Sequence, residues 1–579
     1  LRDDGDVASQ YTSNEFPLVA GVWNEVSFDL STLTSSAPGG AVYNNLLFLF
    51  DSGIAPDADG HIYYIDALQM PASSATFDGD TDATWNTAAN WSDDVLPNGM
   101  YNVTIPASQN VTIATSTAAT TNNLTVDGAG SLTIAAGGSL IVKGTSTGNV
   151  TYNRTLNFTS GNANGWHLVS SPVAGQTFNE SFASTNNLAL SSGKRGFAYY
   201  NDALAVGSKY VYLLSDDTNA SAFNSGTYSG SGVGYSAKIA ATGTVGFTGT
   251  INTSDVNGVS VTSSGNGFNL LGNPYTSYVS SQTLLNANPN TSGVIYTWTE
   301  GGGYTTRTAA SNWIIPPGQG FFVKMNSGST FDFAESNQSS GTQAFQKSAG
   351  LLTKVKLMVN DGSLNRYAEV QYFDTNATKG YDWGYDGEIF TGQSDALEIY
   401  SHLLEGSAGK NYQIQSLPNS DYENMVISIG VKAAAGKEIT FTVDAMNLPT
   451  GVKVFFEDRA NNTFTELSNN GNYKVTTTEV LNGIGRFYLH TKSSALSADD
   501  TILNTVSIYK TNNTTLRISG LSQGSSTIKL FNILGKEVLT KKFEANNVND
   551  INLPKLATGI YIVQLETASG KLNKKIILE

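Results

Sequence analysis

The sequence predicts an all-β, multidomain chain built of β-sandwich and short β-solenoid-like modules. Three observations carry that expectation. Apolar residues recur in short alternating runs, as in Lys354 to Val359 and Lys437 to Val443, with no helical spacing. Only 14% of residues are charged, so Ser, Thr and Asn supply the polarity, while 58 glycines and 10% aromatics suit turns and pleated, half-buried surfaces. The chain of 579 residues has no cysteine, which removes disulfide frameworks, thiol nucleophiles and thiolate metal sites, and leaves stability to packed cores. Its net charge of −16 argues against nucleic acid as a partner, because an acidic surface repels phosphate.

At this length roughly three to five domains are expected. Residues 1–72 hold three strand-like runs, Glu25 to Leu30, Asn45 to Phe50 and Ile62 to Leu68, too few to close a sandwich. Residues 77–155 carry short β-rungs about eight residues apart, Val103-Thr-Ile105, Val111-Thr-Ile113, Leu124-Thr-Val126, Leu132-Thr-Ile134 and Leu140-Ile-Val142, separated by Gly128, Gly130, Gly137 and Gly138. That spacing suits a small β-solenoid or stacked hairpins, with an irregular antiparallel meander as the alternative. Residues 156–345 contain a duplication: Gly165 to Val173 matches Gly267 to Tyr275, and Gly232 to Lys238 matches Gly318 to Lys324, in the same order. Two β-lobes sharing an interface follow from it, each with the motif aromatic, Trp166 or Phe268, in its core. Residues 350–495 read as a β-sandwich, and a polar linker at 492–503 is expected to be exposed and open to proteolysis. Residues 504–579 read as a terminal, immunoglobulin-like sandwich.

The terminal module differs in charge from the rest. Residues 501–579 hold ten basic and five acidic side chains, a net of +5, which leaves −21 for the first 500. A hairpin signal lies in Ile528 to Val538, with Gly535 at the turn, followed by strands at Gly559 to Leu565 and Lys574 to Leu578. The pattern Asn532-x-x-Gly535-Lys536-x-Val538, then Gly559-x-Tyr561, then Lys574-Lys575 before an apolar end, resembles the type A C-terminal sorting domain of the Bacteroidota type IX secretion system. The resemblance implies a cargo exported across the outer membrane to the cell surface or the medium. Its implied partners are the type IX translocon and an outer-membrane carrier, with surface lipopolysaccharide after processing. Residues 366–392 resemble a β-domain that commonly precedes such a module. The first 72 residues resemble the second half of a jelly-roll carbohydrate-binding module.

No catalytic constellation is visible, so the chain is not expected to be an enzyme. The histidines, His61, His167, His402 and His490, are scattered, no zinc motif or nucleophile elbow occurs, and His167 reads as a strand residue. Asp386 and Glu388 could share a strand face as a carboxylate pair, a common coincidence. Calcium is the one inorganic partner considered. Asp78, Asp80 and Asp82 begin like an EF-hand loop, but Ala89 stands where the bidentate Glu belongs, and Asp66 sits where jelly-roll modules place a structural calcium. Trp85, Trp91, Trp298, Tyr304 and Trp313 are the candidates for stacking on glycans, with core packing as the competing role for each. The expected function is an exported adhesive or stalk protein with a C-terminal export signal. The alternative is the accessory carbohydrate-binding tail of a polysaccharide-degrading enzyme. The start at Leu1, with neither a basic n-region nor an apolar h-region, suggests the mature or C-terminal part of a longer precursor.

Overall fold

The computed structural model describes residues 73–578 except 162–163, 217–220, 300–302, 342–351, 374, 393–394, 469, 494–505, 513, 522 and 568–569. The jelly-roll fragment with Asp66, and all but the start of the 492–503 linker, lie outside the described residues. The chain divides into two compact units, Leu1–Pro71 and Ala72–Glu579. The second unit is all-β, with a few short helices between strands.

The rungs of residues 77–155 stack in parallel. Tyr101–Ile105 lies on Asn123–Val126, Asn110–Ile113 on Ser131–Ile134, and Ala118–Thr121 on Ser139–Val142. Each pair is offset by 21 residues, since Asn102 faces Asn123 and Asn110 faces Ser131, so one coil has three faces. The alternation Val/Leu–Thr–Ile/Val drives this: Ile105, Ile113, Ile134 and Leu140 are fully buried inside the coil while the intervening threonines face outward. Trp85 and Trp91 cover the start of the coil. At its other end Val150–Leu156 takes an antiparallel partner, Gly243–Gly249.

The duplication is structural. In the first copy His167–Ser170 pairs antiparallel with Gly234–Ala237, Val169 opposite Tyr235. In the second, Phe268–Gly272 pairs with Gly320–Met325, Leu271 opposite Phe321. The motif alignment maps each of these pairs onto the other, so both copies use one register. They share a single core in which Val169, Tyr235, Leu271 and Phe321 are buried together. The motif aromatics differ. Phe268 is buried, but Trp166, expected in the core, is half-buried, packing beside Tyr212 with the Lys238 ammonium 5.9 Å from its ring. Trp166 precedes the strand, outside the paired stretch, which leaves its ring at the rim.

Residues 353–492 form, among the described residues, an eleven-stranded sheet from Thr463–Glu466 at one edge to Asn472–Thr476 at the other. It is one curled sheet. Phe441, one strand in from one edge, stacks 4.4 Å from Phe456, one strand in from the other, which can happen only if the sheet folds round its own core. The loop ahead of Gly387 ties it to the second lobe, Trp383 donating to the Thr291 carbonyl at 2.9 Å and Tyr381 to that of Ser292 at 3.0 Å.

The terminal module is a sandwich of a three-stranded sheet (Ser507–Asn512, Thr515–Ser519, Val548–Asn552) and a four-stranded sheet (Glu537–Ala545, Gly524–Asn532, Gly559–Thr567, Gly570–Leu578). Ile518, Ile528, Leu530, Val563 and Leu565 are fully buried between them.

Candidate functional site

The terminal module spreads the sequence signature across all four strands of its larger sheet. Asn532 shapes the hairpin turn: its side-chain oxygen accepts the Leu534 and Lys536 amides at 3.0 and 2.9 Å, and Gly535 takes the positive φ of +77° that the turn requires. Across the sheet Asn532 faces Tyr561, whose ring is buried and whose hydroxyl donates to the Ala557 carbonyl at 2.9 Å. Val538 packs half-buried on the core, and Lys536 is exposed beside the turn. Gly559 opens the next strand opposite Leu578. Lys574 and Lys575 alternate along the last strand, one half-buried and one exposed.

Reading the motif did not single out the residues between its signature positions. Along Gly559–Thr567 the even positions point outward, so Ile560 and Ile562 are 40% and 44% exposed, and Ile577, opposite Ile560, is 54% exposed. Phe531, opposite Ile562, is half-buried, and Ile533 and Leu534 at the turn tip are 72% and 86% exposed. An apolar stripe bordered by Lys575 thus lies beside the strand Gly570–Leu578, which among the described residues is hydrogen-bonded on one side only. Its free side offers unpaired backbone donors and acceptors. The signal was present in the strict alternation of Gly-Ile-Tyr-Ile-Val, where one phase fills the core and the other faces out.

The proposed glycan aromatics separate into two groups. Trp85 and Trp91 are 2% and 1% exposed, packed edge to face at 4.8 Å, with the Trp91 indole N–H donating to the Trp85 carbonyl at 2.8 Å, so no ring face is free for a sugar. The other three are half-buried in the second lobe. The Arg307 guanidinium covers Trp313 at 4.5 Å. Trp298 meets Tyr304 edge-on at 5.0 Å, and Tyr304 lies on Phe390 at 3.8 Å. Trp298 and Tyr304 line a cavity of about 90 Å³ together with Arg366, Asp395 and Gln413, and the Trp298 indole N–H is buried without a hydrogen-bond partner among the described residues.

The acidic loop is organised by an amide. Asn90, fully buried, accepts the Thr81 and Asp82 amides at 3.0 Å each and donates to Asp82 Oδ1 at 2.7 Å and the Thr84 carbonyl at 2.9 Å. Hydrogen bonds from Thr84, then Asn90, hold the exposed Asp82 carboxyl below the usual range. Among the described residues no three His, Asp or Glu side chains converge on one point, so Asp78, Asp80 and Asp82 do not form a three-carboxylate cage.

Asp386 and Glu388 have their oxygens committed to structure. Asp386 is fully buried and accepts the Ser416 and Asp382 amides at 2.6 and 2.7 Å; burial outweighs these bonds and pushes its carboxyl up to about 7. Burial also opposes ionisation of Glu388, but Lys410 at 2.6 Å and Lys324 at 2.9 Å prevail and hold it below its ordinary value. His167 lies in its strand opposite Ala237, its Nε2 bonded to the Asn157 carbonyl at 2.9 Å.

No curated protein matches the chain. Residues 76–145 and 300–490 match the model of a domain of unknown function (DUF8693), which spans nearly all of the coil, the end of the second lobe and most of the curled sheet. Residues 510–579 match the model of the secretion system C-terminal sorting domain, the stretch that holds the turn of Asn532, the buried Tyr561 and the edge strand. The chain is a cargo of the type IX secretion system, exported to the cell surface or the medium, with its sorting domain at the C-terminus.

Proposed function

We propose that the sorting module docks on the type IX translocon and its outer-membrane carrier through the Ile560–Ile562–Ile577 stripe and the adjoining free edge, and that the body ahead of it is a non-catalytic adhesive or stalk region. The observation that carries the docking surface is the contiguous apolar stripe beside a one-sided strand. Such an edge accepts an incoming strand by main-chain pairing, and the isoleucines add an apolar anchor. The neighbouring basic residues favour an acidic partner surface, or the phosphates of surface lipopolysaccharide once the cargo has crossed. For the body, the parallel coil, the fused lobes and the curled sheet supply rigid length, and the visible acid pair is consumed by structural bonds. Deleting 501–579 tests the signal: the remainder should accumulate in the periplasm, and normal export of the truncated chain would overturn the assignment.

A second function, the carbohydrate-binding tail of a polysaccharide-degrading enzyme, is favoured by the cavity of Trp298 and Tyr304. It combines aromatic surface, carboxylate, guanidinium and amide, with an unpartnered indole N–H ready for a hydroxyl. Glycan-array binding that is lost in Trp298→Ala while the melting temperature holds would support it.

A further inference from the structure

Each lobe has an outer face turned away from the shared core. On the second lobe the curled sheet covers it: Phe390 packs on Phe268 at 4.6 Å, Glu388 pairs with Lys324 at 2.9 Å, and Gln413 accepts the Thr306 amide at 2.9 Å. That docking uses an aromatic ring, a carboxylate and an amide. Motif and strand register carry the three receiving positions to Trp166, Lys238 and Tyr212 of the first lobe.

The register also fixes which side chains share that face of the first lobe. Val169, Phe197, Leu213 and Tyr235 fill the shared core, so their strand neighbours Leu168, Ala198, Tyr212 and Ser236 point the other way. Ala198 and Ser236, on the two inner strands, are small, which lets Trp166 from one flank and Tyr212 from the other meet at 5.8 Å across them. Both rings are half-buried, and Leu214, on the same face as Tyr212, is 43% exposed, so the pair keeps a side toward solvent. The two lysines differ. Lys238 is buried, its ammonium held by the carbonyls of Gly161 and Asn164. Lys194, opposite Leu214, is exposed with its ammonium 5.7 Å from the Tyr212 ring, and it has no ion-pair partner among the described residues.

We propose that this face binds an acidic polysaccharide, one hexuronate unit lying on Trp166 and Tyr212 with its carboxylate on Lys194. A uronate carries in a single residue what the curled sheet brings to the second lobe in two, a flat apolar ring face and a carboxylate. A protein fits poorly as the occupant. A stable interface takes about 800 Å² from each partner, and two half-buried rings with one leucine supply a small part of that. A neutral sugar would stack on the rings but leave the lysine without its counter-charge. The site rests on neither the Ile560–Ile577 docking stripe nor the Trp298 cavity, which lies on the other lobe.

The test is calorimetric titration of the full chain at pH 7 and about 0.15 M salt, which screens the net negative charge of the protein. Oligogalacturonate, oligomannuronate and the neutral methyl ester of each are the probes. At least one acid should bind, and its methyl ester should bind about tenfold more weakly or worse. Lys194→Gln should weaken the acid by about the same factor, Lys194→Arg should retain it, and Lys555→Gln, an exposed control, should bind like the parent. Tyr212→Ala should lose about tenfold for acid and ester alike, with a thermal melt showing the variant folded. Binding of neither acid, equal binding of acid and ester, or an unchanged affinity in Lys194→Gln overturns the proposal. Binding that is lost in Trp298→Ala but kept in Tyr212→Ala overturns it too, and assigns the glycan to the Trp298 cavity instead.

Discussion

Val169 forms a β-bridge with Gln319, and the positions related to them by the duplication, Leu271 and Val233, form the same bridge with each other. Each copy therefore lends its first motif strand to the second motif strand of the other. That is the geometry of a two-fold, self-complementary interface, here made within one chain. The backbones approach closely enough that only glycine fits at the crossing. A Cβ at Gly320 would lie 2.7 Å from Val169 N and O, and one at the equivalent Gly234 would collide with the Leu271 carbonyl oxygen.

Gly234→Ala and Gly320→Ala should therefore each destabilise the protein by about 1–3 kcal/mol, because the colliding atoms are backbone and cannot rotate away. Gly128→Ala, with no atom near its Cβ, should stay within about 0.5 kcal/mol. Chemical denaturation of the three variants checks the contrast.

Asp386 sets a pH dependence. Its carboxyl is raised from 3.8 when unfolded to about 7 when folded. The folded state thus prefers the protonated form, and this contribution is complete below the unfolded value and lost as pH rises through about 7. Melting temperature should fall between pH 4 and 8, with an upper limit of roughly 4 kcal/mol from this group. Asp386→Asn should flatten that slope, as followed by melts across the range.

In the sorting module, fold and docking should separate by substitution. Asn532→Ala removes the acceptor of two amides and should cost about 1–2 kcal/mol, visible as faster hydrogen exchange at Leu534 and Lys536. Ile562→Glu changes an exposed position and should leave stability within about 0.5 kcal/mol while reducing export. Unchanged secretion of Ile562→Glu would reject the stripe as the docking surface.

The tryptophans should divide in the same way. Trp91→Ala opens the end of the coil and should cost about 3–5 kcal/mol. Trp298→Ala should cost less stability, and any glycan retention should be lost with it, which affinity electrophoresis reads directly.

Dialysis against a chelator should leave the melting temperature unchanged for the loop of Asp78, Asp80 and Asp82, since Asn90 already satisfies its amides and Asp82. A fall restored by calcium in the parent and absent in Asp82→Asn would assign a cation there.

Much of this architecture can be read from the sequence wherever a local pattern determines burial. The Leu–Thr–Val rungs encode the coil because every second residue must be apolar to fill it, although the 21-residue turn is hidden in three unequal steps. The duplication could be read down to its register, because Leu168 and Leu270 occupy equivalent pairs. What stayed hidden depends on contacts distant in sequence. Nothing local tells Phe441 that it will meet Phe456 round a curled sheet, or His402 that it will meet Tyr509 across a domain seat. The same limit applies to Trp85 and Trp298, which look alike as letters and differ only in what covers them.

The coil has a consequence at the scale of assembly. A stack of identical parallel turns has no intrinsic length, and an open end is a template on which another copy can grow into a filament. Here growth is blocked at one end by indoles and at the other by a strand running the wrong way, Gly243–Gly249, with Thr276 of the second lobe locked to both polar atoms of the Leu140 backbone. The lobes thus cap the coil at that end, where its last rungs are bonded to backbone that does not continue the parallel stack.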